Sequence, residues 1–120
     1  MDGIVSGSFE RPDEHRGPDK TSLDLVDLGS VKVARMTLQP GWRWADCIKP
    51  MVGTERCEVH HVGAVMSGKL RVEHTDGSGV DLAPGDAYVI EPGHDAWVVG
   101  DEPFVAFEFD SKAAETYAHP

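Results

Sequence analysis

Turn-forming residues cut the chain into short pieces, and no other feature constrains its fold as much. Gln39-Pro40-Gly41, Lys49-Pro50, Ser67-Gly68, Asp76-Gly77-Ser78-Gly79, Ala83-Pro84-Gly85-Asp86, Glu91-Pro92-Gly93 and Gly100-Asp101-Glu102-Pro103 place proline, glycine and small polar residues where a backbone reverses. Between these breaks no helix of ordinary length is visible, and Val, Leu and aromatic residues recur, the types that suit a pleated, half-buried surface. Seven breaks imply about eight strands, drawn from residues 23–28, 31–38, 42–48, 56–66, 69–74, 80–82, 87–90, 96–99 and 104–109. Leu70 and Val72 alternate with Lys69, Arg71 and Glu73, giving one buried and one wet face. Residues 104–109 are more continuously apolar. The expected fold class is all-β, a sandwich or small barrel.

Length and charge limit what such a barrel does. At 120 residues and 13.0 kDa the chain is one ordinary domain. Its first 20 residues carry two prolines, three glycines and mixed charge with few large apolar groups. We therefore expect a flexible N-terminal arm over 1–20, a β-barrel domain over 21–112 and a C-terminal tail over 113–120. Eleven basic side chains against 21 acidic ones leave a formal charge of −10, which repels phosphate backbones and anionic headgroups. Nucleic-acid and membrane partners are not expected. No stretch approaches the roughly 18 apolar residues of a membrane helix, and the N-terminus is polar and acidic, so a cytoplasmic location is expected. A Gly-rich phosphate cradle, a Gly-x-Ser-x-Gly elbow and a Cys-x-x-Cys pair are all absent from the sequence.

Two stretches carry a family likeness. Pro84-Gly85-Asp86-Ala87-Tyr88-Val89-Ile90-Glu91-Pro92-Gly93-His94 resembles the second motif of the cupin superfamily, in which a glycine precedes a strand, a Pro-Gly turn follows and a histidine enters the barrel. His94 falls on that histidine. The family's first motif has two histidines one residue apart, then a glutamate, then a glycine seven positions later. Counting back from Gly68 puts His61 on the glutamate position, Cys57 on the second histidine and Glu55 on the first. The resemblance covers roughly residues 31–109. It implies a single-domain cupin, a double-stranded β-helix or jelly-roll barrel, with one divalent metal on Cys57, His61 and His94 and with Glu55 as a weaker candidate.

The residue types agree with that implication, because thiolate and neutral imidazole suit a borderline-soft divalent ion. Zinc is expected first; iron, manganese and nickel are alternatives. Residues four apart on a straight strand lie about 13 Å from each other, too far to share an ion, so the chain must bend between Cys57 and His61. A helix would also bring them together, but Val59, Val62 and Val65 are β-branched and Gly63 interrupts. In the cupin arrangement Glu58-Val59-His60 would be the connection, leaving His61 interior and His60 peripheral. The bland alternative is a buried cysteine beside ordinary strand histidines. Cys47 is a candidate fourth ligand, a core residue or a disulfide partner of Cys57.

Trp42, Trp44 and Trp97 are candidates for the wall of a small-molecule pocket, with core or interface as their plainer role. By alternation His74 falls beside Leu70 and Val72 as a half-buried histidine, and His15 and His119 belong to the chain ends. Function stays open between a metal-dependent enzyme acting on a small molecule, a non-catalytic small-molecule binding or sensing module, and a metal-free barrel. Three protein ligands would leave a coordination position open, whereas a fourth would close it. Exposed sheet edges and an arm such as 4–9 lead us to expect a homodimer.

Overall fold

The computed structural model describes residues 3–109. The tail expected over 113–120, and with it His119, lies outside the described residues. Among the described residues nine strands and two single helical turns follow one another: β1 (Glu14–Arg16), β2 (Thr21–Asp27), β3 (Lys32–Leu38), α1 (Trp44–Cys47), α2 (Lys49–Val52), β4 (His61–Ser67), β5 (Lys69–His74), β6 (Gly79–Leu82), β7 (Ala87–Ile90), β8 (His94–Val99) and β9 (Phe104–Phe109). They form a six-stranded sheet in the order β1-β2-β3-β9-β4-β7 and a three-stranded sheet in the order β6-β5-β8. Every strand pairing is antiparallel. The all-β class expected from the turn pattern, and the jelly roll that the family resemblance implies, are the fold observed.

The core fills the space between the sheets. Leu38, Val65, Phe104 and Ala106 come from the larger sheet, and Leu70, Val72, Leu82, Ala96 and Val98 from the smaller. Phe104 and Leu38 are the largest side chains sealed completely from solvent. Only Gly68 separates β4 from β5, and its φ of +76° turns the chain from one sheet into the other. An added Cβ there would strike the Pro103 carbonyl. The same glycine anchors the first motif, so its spacing to His61 is a distance from a sheet corner.

One expected strand does not form. Residues 42–48 turn instead into α1, where the Ile48 amide bonds the Trp44 carbonyl at 3.0 Å, and α2 follows with Pro50 in its first turn. Proline is tolerated there because the first amides of a helix have no intrahelical acceptor anyway. Lys49-Pro50 therefore opens a helical turn and does not end a strand. Of the strand expected over 56–66, only the part from His61 onward pairs in a ladder, while Cys57 makes a lone bridge to His94.

Residues 9–16 lie against the chain's own sheet. β1 pairs with β2, and Phe9 stacks on Phe107 with ring centroids 5.3 Å apart. Arg35 lies 5.4 Å over the Phe9 ring and bonds Glu10 at 3.1 Å. His15 bonds Asp24 at 2.7 Å, so it belongs to the sheet edge and not to a loose end. Ion pairing and aromatic packing to the chain's own sheet thus offset the ordering cost that composition alone suggested would go unmet.

Candidate metal centre

Three side chains that are far apart on an extended chain meet inside the barrel. The ligand atoms of Cys57, His61 and His94 all lie within 4.8 Å of one another. Among the described residues this is the group of His, Cys, Asp and Glu side chains close enough to share an ion. Cys57 is held by the smaller sheet: its amide bonds the His94 carbonyl at 2.7 Å, and its own carbonyl accepts from the Gly93 amide at 2.7 Å. His61 instead opens β4 of the larger sheet, paired with Ile90. Residues 58–60 therefore cross from one sheet to the other, which is how two residues four apart converge when a straight strand would hold them about 13 Å apart. His60, in the crossing, is peripheral and 3.5 Å from Glu91.

His94 begins β8, whose inward residues are His94, Ala96 and Val98. Its Nδ1 donates to the Glu91 carbonyl at 2.8 Å, since a carbonyl can only accept, and Nε2 is left with the lone pair. His61 follows the same rule with a different acceptor. Its Nδ1 donates to Glu108 Oε1 at 2.8 Å while Nε2 lies 3.7 Å from Cys57 Sγ. The two rings stand 5.1 Å apart at 66°.

Glu108 and Tyr88 carried no site assignment on sequence grounds, yet both reach the cluster. The Tyr88 hydroxyl donates to Glu108 Oε2 at 2.8 Å. A signal for Glu108 was available: in β9 it shares a face with Phe104 and Ala106, both sealed in the core, and a carboxylate on such a face needs partners. Tyr88 lies inside the second motif and shares its rung of the larger sheet with Gly63 and Glu108.

The cluster is also electrostatically coupled. Burial pushes the Cys57 thiol up, but hydrogen bonds and positive charge from His61 and His94 outweigh it and lower the pKa from 9.0 to about 6. Burial pushes His61 down, and the Glu108 charge together with hydrogen bonds from Cys57 and Glu108 overcomes it, raising the pKa from 6.5 to about 10. Both shifts favour the charged pair, thiolate and imidazolium, over the neutral one.

The donor set suits a divalent cation. A tetrahedral ion with bonds of about 2.0–2.3 Å holds its donors about 3.5 Å apart, so the widest pair needs to close by little more than about an ångström. One thiolate and two imidazoles are zinc ligands by type, and both imidazole Nδ1 atoms are already committed to oxygen acceptors, as ligating histidines usually are.

The other candidates lie elsewhere. Cys47 is buried in α1 with Sγ 3.8 Å from Asp19 Oδ2; it is outside the cluster, and both cysteines are free thiols, so the disulfide alternative is not realised. Glu55 is exposed and bonds Lys49 at 2.9 Å. Trp42 and Trp44 are core residues, Trp42 donating to Thr21 Oγ1 at 2.9 Å. Trp97 is three residues beyond inward-facing His94, so alternation turns it to the outer face of β8, where the Arg43 guanidinium lies 4.6 Å over its ring. The tryptophans thus do not gather into one pocket wall. His74 is the satisfied, half-buried histidine expected, bonded to the Pro92 carbonyl at 2.7 Å and to the Asp76 amide at 3.0 Å. No described helix is long and apolar enough to cross a membrane.

No protein-family model and no curated protein matches the chain. Solved structures do. A sugar phosphate isomerase from a cupin superfamily of Silicibacter pomeroyi is 18% identical with a TM-score of 0.57, over 80% of this chain and 69% of that one. Fe(II) HppE is 9% identical with a TM-score of 0.62, over 91% of this chain and 61% of that one. Lactobacillus farciminis oxalate decarboxylase, solved as a formate complex, is 17% identical with a TM-score of 0.58, over 80% of this chain. The chain spans only 30% of the decarboxylase's length. At such identities the likeness is one of fold.

Proposed function

We propose that this chain, which folds as a small cupin, holds one divalent metal on Cys57, His61 and His94 and presents it to a small molecule. The observation that carries the reading is the convergence of three metal-ligand atoms within 4.8 Å from opposite sheets of the barrel. Zinc is the ion the donor set favours, because a thiolate with two imidazoles is a soft and nitrogen-rich set, whereas iron and manganese favour more oxygen. Three protein ligands leave one position for water or a small ligand, as catalytic sites do and closed structural sites do not. When bound, such an ion would act as a Lewis acid toward a carbonyl or carboxylate oxygen. The chain's own residues supply the rest: the Glu91 carbonyl and the Glu108 carboxylate fix the two rings.

Elemental analysis of protein purified without an affinity tag or chelator tests the reading. About one metal per chain is expected in wild type and in Glu55→Ala and Cys47→Ala, and loss of the metal in Cys57→Ala and His94→Ala. Metal-free wild type after supplementation with zinc, iron and manganese would contradict it. We extend the reading to a homodimer, on the ground that β6 ends the smaller sheet as an edge strand with one neighbouring strand among the described residues. Light scattering of dilute protein at monomer mass would overturn the dimer.

A further inference from the structure

We infer that Glu108 is a positioning residue of the metal centre, acting through His61 and itself held by Tyr88 across Gly63. This role rests on the metal centre proposed above and adds the part of the barrel that sets its ligand geometry and charge.

The three residues lie side by side on one rung of the larger sheet. Gly63 of β4 is in register with Tyr88 of β7 on one side and with Glu108 of β9 on the other. Any side chain at residue 63 would stand between them: a Cβ there would be 2.7 Å from the Tyr88 hydroxyl and 2.5 Å from the Phe107 carbonyl. With glycine in the middle, the phenol crosses β4 and donates to Glu108 Oε2 at 2.8 Å. The other oxygen, Oε1, is thereby turned to His61 Nδ1, also at 2.8 Å.

A carboxylate accepts and does not donate, so this contact places a proton on His61 Nδ1 and directs Nε2 toward Cys57 and the ion. His94 supplies an internal comparison. Its Nδ1 is held by the backbone carbonyl of Glu91, a neutral acceptor that orients the ring without adding charge. Glu108 adds charge as well as orientation, and so strengthens His61 as a donor toward a cation. A divalent ion bound to the Cys57 thiolate carries one uncompensated positive charge in a buried site, and the Glu108 carboxylate, 8% exposed, is placed to balance it.

Zinc affinity, measured by competition with a chromophoric chelator, and the absorption spectrum of the cobalt(II)-loaded protein together test this role. Glu108→Gln keeps the side-chain shape and removes the charge. It is expected to weaken zinc by about 10–100-fold and to shift the cobalt bands while the metal-free protein melts cooperatively. Tyr88→Phe, which removes one hydroxyl, is expected to weaken zinc by less than about tenfold in the same direction, and serves if Glu108→Gln does not fold. Zinc binding by Glu108→Gln or Tyr88→Phe equal to wild type, with Cys57→Ala impaired, would overturn the role of Glu108 alone. Equal binding by wild type and Cys57→Ala would overturn the metal centre and this role with it.

Discussion

His15 lies 2.7 Å from Asp24 at the edge of the larger sheet, and His61 lies 2.8 Å from Glu108 inside the barrel. By distance the two histidine–carboxylate pairs are the same interaction. Their surroundings separate them. The His15 side chain is 54% exposed, and its carboxylate also accepts from Arg35 at 3.1 Å, a permanent charge that in turn covers Phe9. The His61 side chain is 16% exposed, its carboxylate also accepts from a phenol, and its second nitrogen faces a thiol. The outer pair fastens an N-terminal segment to a sheet. The inner pair orients a ring whose other nitrogen faces the Cys57 sulfur, and it is this second contact, not the length of the first, that marks a candidate site.

Substitutions that strike one pair and spare the other sharpen the contrast. Gly63→Ala should have the largest effect, since the new methyl group must displace a backbone carbonyl or Tyr88; a loss of about 3 kcal/mol in urea unfolding of the metal-free protein is expected. Next, zinc at one hundred times its Kd should stabilise wild type by about 2.7 kcal/mol, and Asp24→Asn by the same increment, but not Cys57→Ala. An increment lost in Asp24→Asn would join the two pairs into one unit.

Acid should separate the pairs too. Burial alone would push the Asp24 carboxyl up, but its bonds to His15 and Arg35 hold it below the usual value of 3.8. Its contribution to stability is therefore present above pH 3.8 and lost as pH falls through the lower folded value, and Asp24→Asn should flatten that part of the unfolding profile. In the inner pair, the Cys57 pKa is depressed from 9.0 to about 6, so its contribution is present above pH 9.0 and lost as pH falls through about 6. His61 runs the other way: its contribution is present below pH 6.5 and lost as pH rises through about 10. Thiolate ultraviolet absorbance of the metal-free protein should accordingly titrate near pH 6, and this step should vanish in Cys57→Ala. The smallest effect is expected from Phe9→Ala, about 1 kcal/mol from the lost ring stack, with zinc affinity unchanged.

Local pattern and long-range placement were legible in the sequence to different degrees. β5 begins and ends, and β9 begins, where the turn residues put them, because Gly68, Gly77 and Pro103 are signals that act within a few residues. The helical turns at residues 44–52 were hidden by Pro50, which reads as a breaker unless it is placed in a first turn. Cys57, His61 and His94 were reachable through motif spacing, since Gly68 and Gly93 mark the corners from which that spacing is counted. The outward face of Trp97 was not legible while residues 96–99 were read apart from His94; one continuous strand fixes that face by parity. Glu108 lies 47 residues from His61, and no local pattern records that pairing. What the sequence did carry was its parity with Phe104 and Ala106, which demands a buried partner without naming it.

Cobalt(II) titration of the metal-free protein, followed by absorption spectroscopy, bears most directly on the metal centre. A thiolate-to-cobalt charge-transfer band that saturates at one equivalent, with intense tetrahedral bands, is expected for wild type and is expected to disappear in Cys57→Ala. A weak, octahedral spectrum without the charge-transfer band, or one unchanged by Cys57→Ala, would show that Cys57 is not a ligand and that the three converging side chains are ordinary interior residues of the barrel.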